Sequence, residues 1–280
     1  MRSMVNKPPR RERLAASRSA PLWALGSRVG TVGRYDARVL RRSAGWLWRS
    51  RETTNFTYDL TPVNLDHLCW WVANVTGSEI HRVREVVREL LDDTALVRHV
   101  ARASAASSRA FRADRDARFG RRAAWYALVR ILRPELVVEA GTDQGLGALA
   151  LGAALVRNGH GQLVTIDTNP ASGGLLAGFD APIEHVIGSS IDVIPQLTDL
   201  GNVDLFIHDS LHSQDYERRE LSVLEGQLAP SAVVLSDNAH NTSALSDWAA
   251  ETGRSFLFFQ EQPLNHWYPG GGAGAAWMSP

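Results

Sequence analysis

Cysteine is almost missing from this chain. Cys69 stands alone among 280 residues, so no internal disulfide can form and nothing demands an oxidising compartment. Lysine is scarcer than the charge suggests: Lys7 is the only one among 30 basic residues, a bias that reads as the coding of a GC-rich bacterial genome. Long apolar runs are missing too. No segment approaches the roughly 18 consecutive apolar residues of a membrane span. The basic first twenty residues contain no apolar stretch of the kind a signal peptide needs, so a cytoplasmic or membrane-peripheral protein is expected. The G-x-G-x-x-G fingerprint of dinucleotide enzymes is also absent from the strand ends described below, which argues against NAD(P).

Net charge is zero, but it is unevenly spread. Residues 1–51 carry thirteen basic side chains against Glu12 and Asp36, a net of +11, so residues 52–280 carry −11. Residues 1–20 are polar and rich in Pro and Arg, and read as a disordered basic tail. Residues 21–51 mix Trp23, Leu25, Val39, Leu40, Trp46, Leu47 and Trp48 with arginines. This is the pattern of a basic helical arm, packed on its own domain, on a second copy in a homo-oligomer, or on an anionic membrane surface. No recognised binding motif accompanies the charge, so nucleic acid is not expected.

Residues 21–133 read as the arm and a helical cap. Thr61-Pro62 supplies a capping residue and a first-turn proline. Ile80, Val83, Val86, Val87 and Leu90 recur at helical spacing, as do the apolar residues of 121–132, before Pro134 ends the run. From 134 to 280 the rhythm alternates strand and helix. Near-continuous apolar strands fall at 136–140, 163–167, 183–187, 203–208, 232–236, 255–260 and 274–278. The intervening helices fall near 146–158, 190–198, 212–228 and 243–252. That alternation specifies an α/β fold with a doubly wound, mostly parallel seven-stranded sheet and an N-terminal helical extension. Sheets of this kind bind ligands at the carboxyl ends of their strands.

Five strand ends carry polar residues. "EAGTDQGLG" (139–147) places Gly141 and Gly145 where backbone must come close to a ligand ahead of a helix. Asp167 ends the second strand, where a carboxylate suits a ribose diol. "IGSSIDVIPQL" places Ser190 and Ile191 at the third, although Ser-Ser-Ile-Asp is also a good helix start. "VDLFIHDSLH" and "VVLSDN" end the fourth and fifth on His208, Asp209, His212, Asp237 and Asn238.

With those stretches in view, residues 125–245 resemble the class I S-adenosylmethionine-dependent methyltransferases. Within them the likeness is to the metal-dependent branch of catechol O-methyltransferase. The resemblance implies that Glu139, Gly141, Thr142 and Gly145 line the methionine and ribose part of the cofactor. It implies Asp167 for the ribose hydroxyls, Ser190 and Ile191 for the adenine, and Asp209 beside the cofactor. Asp209, Asp237 and Asn238 fall on the family's three metal ligands with the same 28-residue step between the aspartates, implying Mg²⁺. His212 stands where the family places its catalytic lysine.

The residue chemistry agrees. Three oxygen ligands from neighbouring strands suit Mg²⁺, a bound metal lowers the pKa of a coordinated hydroxyl, and a neutral histidine can take its proton. The expected activity is O-methylation of a small-molecule hydroxyl on a sugar, polyol, phenol or natural product, with His212 or His240 as base. Ser210 and Leu211 replace a histidine and a tryptophan of the family pattern, and its second substrate-gripping carboxylate has no match, so a catechol is not expected. His208 reads as a core or supporting histidine, and Asp204 as a contact at a strand start. Trp267 and Tyr268, in 263–273, are candidates for the acceptor wall. The competing readings are a metal-free methyltransferase of the same fold, an NAD(P)-binding oxidoreductase, and a non-catalytic membrane-peripheral module.

Overall fold

Seven strands alternate with helices as the apolar runs require. The computed structural model describes residues 20–50, 57–107 and 118–279. The expected disorder over 1–20 therefore lies outside the described residues, apart from Ala20.

The chain divides into two units, residues 1–50 with 265–267, and residues 51–264 with 268–280. In the described part of the first, α1 (Ala20–Arg49) is a 30-residue helix with no buried residue. The Trp46 ring lies 5.6 Å from His266 and 6.0 Å from Trp267.

In the second unit four helices precede the sheet. They are α2 (Pro62–Thr76), α3 (Ile80–Leu91), α4 (Thr94–Ala106) and α5 (Arg122–Leu132). The Thr61 side chain accepts from the Asn64 amide, the cap its sequence predicts, and Asp93 does the same for Ala95 and Leu96. β1 (Leu136–Ala140), β2 (Gln162–Asp167), β3 (Ile183–Ile187), β4 (Val203–His208), β5 (Leu228–Asp237), β6 (Ser255–Gln260) and β7 (Gly272–Trp277) form one sheet in the order β3-β2-β1-β4-β5-β7-β6. All neighbours are parallel except β7, which runs antiparallel to both β5 and β6. α6 (Leu146–Asn158), α7 (Ser190–Val193, continued by a 3-10 segment to Leu200), α8 (Gln214–Leu224) and α9 (Ala244–Glu251) connect the strands.

Side chains alternate across each strand, so one strand feeds two cores. Val137, Leu205, Val233 and Leu235 face α2 to α6, while Val138, Phe206 and Val234 face α7 to α9. The cap helices and the sheet share one apolar cluster, in which Trp71, Val86 and Trp125 pack with Val137 and Leu149. The apolar stripe of the cap helices is thus buried against the sheet. The contact expected of Asp204 is present: its carboxylate accepts from the Glu135 and Leu136 amides at 2.8 and 3.1 Å.

Candidate active site

The cofactor loop follows from two glycines. Gly141 sits at φ 100°, and a Cβ there would lie 2.0 Å from the Asp209 carbonyl oxygen, so only glycine lets the loop after β1 cross the end of β4. Gly145 at φ 92° turns the chain into α6. Between them the Asp143 amide donates to Asp167 Oδ2 at 2.8 Å, and the Asn169 amide donates to Oδ1 at 2.8 Å. The two strand ends are thereby locked together.

A cavity of about 470 Å³ opens here, lined by Gly141, Asp167, Ser190 and Asp209 among the expected cofactor residues. Ser210, Leu211 and Tyr216 complete its far side. Glu139, Thr142, Gly145 and Ile191 do not line it. Glu139 and Thr142 are buried below the loop, where Thr165 Oγ1 donates to Glu139 Oε2 at 2.6 Å and lies 2.7 Å from Thr142 Oγ1. Burial pushes the Glu139 carboxyl up to about 8, with Asp209 adding to the rise and the Thr165 hydrogen bond opposing it.

The Ser190 side of the cavity rests on a network that local spacing does not reveal. Glu220 of α8 is fully buried and accepts from Ser190 and, at 3.0 Å, from Ser210. Its second oxygen holds His208 Nδ1. Tyr216 reaches Ser190 at 3.0 Å. His208 is thus the supporting histidine its position suggested, its pKa raised by the paired Glu220 against the opposing effect of burial.

Beside the cavity the ends of β4 and β5 bring Asp209, His212 and Asp237 together, with one ligand-type atom of each within 4.8 Å of the others. His212 Nε2 is 3.6 Å from Asp209 Oδ1. The Asn238 amide nitrogen lies 3.1 Å from His212 Nε2 and 3.1 Å from Asp237 Oδ2. Nε2 is thus the ring nitrogen that faces both the Asp209 carboxylate and the Asn238 amide. Asn238 adopts φ 52°, a left-handed turn that asparagine tolerates and that swings its side chain back over the strand end. His240 is exposed and stands apart, near Gly271, where a Cβ would meet its ring at 2.8 Å and Asn238 Oδ1 at 2.9 Å. Tyr268 meets the same point through its hydroxyl and stacks edge-on against Tyr58, whereas Trp267 lies beside Trp46.

Sequence spacing also misses Arg121. Its buried guanidinium forks onto both oxygens of Asp237 and donates to Glu261 Oε1 at 2.9 Å, while Tyr58 donates to Glu261 Oε2 at 2.6 Å. Burial opposes ionisation of Asp237, but the guanidinium outweighs it and holds this carboxyl down at about 2. Asp209 has no such partner, and burial together with the Asp237 charge pushes it up to about 7.

Residues 138–239 match the family model described as a methyltransferase domain. No curated protein sequence matches the chain. Among solved structures, SAH-bound PaMTH1 of Podospora anserina is similar at TM-score 0.50 and 15% identity, covering 79% of this chain and 97% of that one. An O-methyltransferase from Bacillus cereus in complex with SAH is similar at 0.51 and 17%, covering 70% and 96%. Cofactor-bound Rv0187 from MTB is similar at 0.51 and 19%, covering 67% and 90%. At such identities the likeness shows the fold, and the sheet order and the family match agree with it. Residues 138–239 therefore match a methyltransferase domain, and the chain carries the fold that these SAH-bound and cofactor-bound structures share.

Proposed function

We propose that the protein transfers a methyl group from S-adenosylmethionine to a hydroxyl of a small molecule, with His212 as the base. The observation that carries this reading is the cavity at the strand ends, whose wall includes Asp209, an aspartate that has ligand-type atoms of His212 and Asp237 within 4.8 Å. Asp167 presents a carboxylate to a ribose diol, and Ser190, held by Glu220, forms the opposite wall. His212 Nε2 accepts the acceptor's proton as its oxygen attacks the methyl carbon in line and the methyl–sulfur bond breaks.

A divalent cation fits the donor set. Asp209 and Asp237 supply hard oxygens, and Asn238 adds a third when its amide is turned. Arg121 is shared between Asp237 and Glu261 and Arg122 adds a second positive charge, so with Asp209 ionised the three carboxylates exceed the two guanidinium groups by one negative charge. A bound Mg²⁺ would acidify the acceptor hydroxyl. One observation favours a second reading, turnover without metal: both Asp237 oxygens already accept from Arg121.

Calorimetric titration with S-adenosylhomocysteine tests the cofactor, and binding of NAD(P) in its place would overturn the reading. With an acceptor in hand, EDTA is expected to abolish turnover and Mg²⁺ to restore it, while full activity in EDTA selects the metal-free reading. His212→Ala is expected to lose about 10²–10⁴-fold in kcat with cofactor affinity intact. A full-speed His212→Ala enzyme would move the base to His240.

A further inference from the structure

The methyltransferase chemistry leaves one long element unused. α1 spans 30 residues, about 45 Å at 1.5 Å per residue. At about 3.6 residues per turn, Leu25, Val29, Val32, Val39 and Leu47 fall along one side, with Leu22 and Leu40 at its edge. All seven are exposed, from 39% at Val39 to 74% at Leu22. Arg34, Arg38, Arg41, Arg42 and Arg49 fall on the opposite side, and the helix holds a single acid, Asp36. Trp23 and Trp48 stand exposed near its two ends.

We propose that α1 lies flat on an anionic lipid bilayer, its apolar stripe in the boundary between headgroups and acyl chains and its arginines on the lipid phosphates. Charge selects this occupant. Six arginines against one aspartate complement acidic headgroups, and the flexible arginine stems let the guanidinium groups reach them from the polar face. No described helix is long and apolar enough to cross a membrane, so the contact is along the surface. Asp36 falls among the apolar residues and keeps the helix shallow, since a carboxylate cannot follow the valines into hydrocarbon. A second copy packed stripe to stripe would cover the apolar residues but leave both arginine rows turned outward with no acidic partner. A nucleic acid would engage the arginines and leave the stripe in water.

The test uses the full chain with vesicles of phosphatidylcholine alone or with about 30% phosphatidylserine. Co-sedimentation is expected to be about tenfold or more stronger on the acidic vesicles, and to weaken in about 0.5 M NaCl. The double variant Val32→Asp with Val39→Asp is expected to lose that binding about tenfold or more while titrating S-adenosylhomocysteine as the wild type does. Equal sedimentation on both vesicles, or a double variant that binds as the wild type does, would overturn the proposal. So would a dimer seen by light scattering that the double variant dissociates, with no vesicle binding: that result assigns the stripe to a second copy.

Discussion

At the residue scale the site is a set of carboxylates in unequal surroundings. Asp237 has Arg121 and ionises easily, whereas Asp209 faces it with no guanidinium of its own in the fork and resists ionisation. Glu139 is the deepest case, 1% exposed with a hydroxyl as its hydrogen-bond donor. Its folded-state value of about 8 stands above the ordinary 4.5. A group raised in this way contributes stability that is full below about 4.5 and is lost as pH rises through about 8. The protein is therefore expected to weaken against urea over that window, and Glu139→Gln to flatten the decline. A variant whose denaturation midpoint follows pH as steeply as the wild type would show that Glu139 is not the titrating group.

At the element scale the strand ends work because loops cross each other at van der Waals distance. The loop after β1 passes over the end of β4 at Gly141, and the Asp209 amide donates back to the Ala140 carbonyl at 2.7 Å. Gly141→Ala would put a methyl group into the Asp209 carbonyl at a left-handed φ that alanine resists. The expected result is loss of detectable S-adenosylhomocysteine binding by calorimetry with a lowered melting temperature. Wild-type affinity in that variant would mean the two loops can part without harm. Helix α8 does the complementary work from the other side, since Glu220 ties Ser190, Ser210 and His208 to a single buried carboxylate.

At the scale of the molecule, the second unit is held by two apolar clusters, and the larger runs from the cap helices into the sheet. Trp125, 1% exposed, packs so closely on α6 that a Cβ on Gly147 would lie 2.4 Å from its ring. Trp125→Ala is expected to cost about 3–5 kcal/mol, through lost burial and the cavity left behind. Cap and sheet should still unfold in a single transition by circular dichroism and by tryptophan fluorescence. Two separated transitions would show that the cap folds as an independent domain.

The sheet was legible because its evidence is local. Five consecutive buried residues in β1 require an apolar run, and a strand buried on both faces can only end its run where the chain leaves the core. Gly141, Asp167, Asp209 and Asp237 stand at such ends, so their place at one edge follows from the alternation of strand and helix. Their partners are another matter. Arg121 meets Asp237 across 116 residues, and Tyr58 meets Glu261 across 203. Glu220, within "ERRELSVLE", reads as the solvated face of a helix and is instead wholly buried. The antiparallel turn of β7 also carries no local mark. Apolar periodicity is written in neighbouring residues, so the sequence alone determined the layers and the edge where chemistry sits. Which charges are buried, and against what, depends on side chains brought together only when the layers close, and that was decided by the tertiary structure.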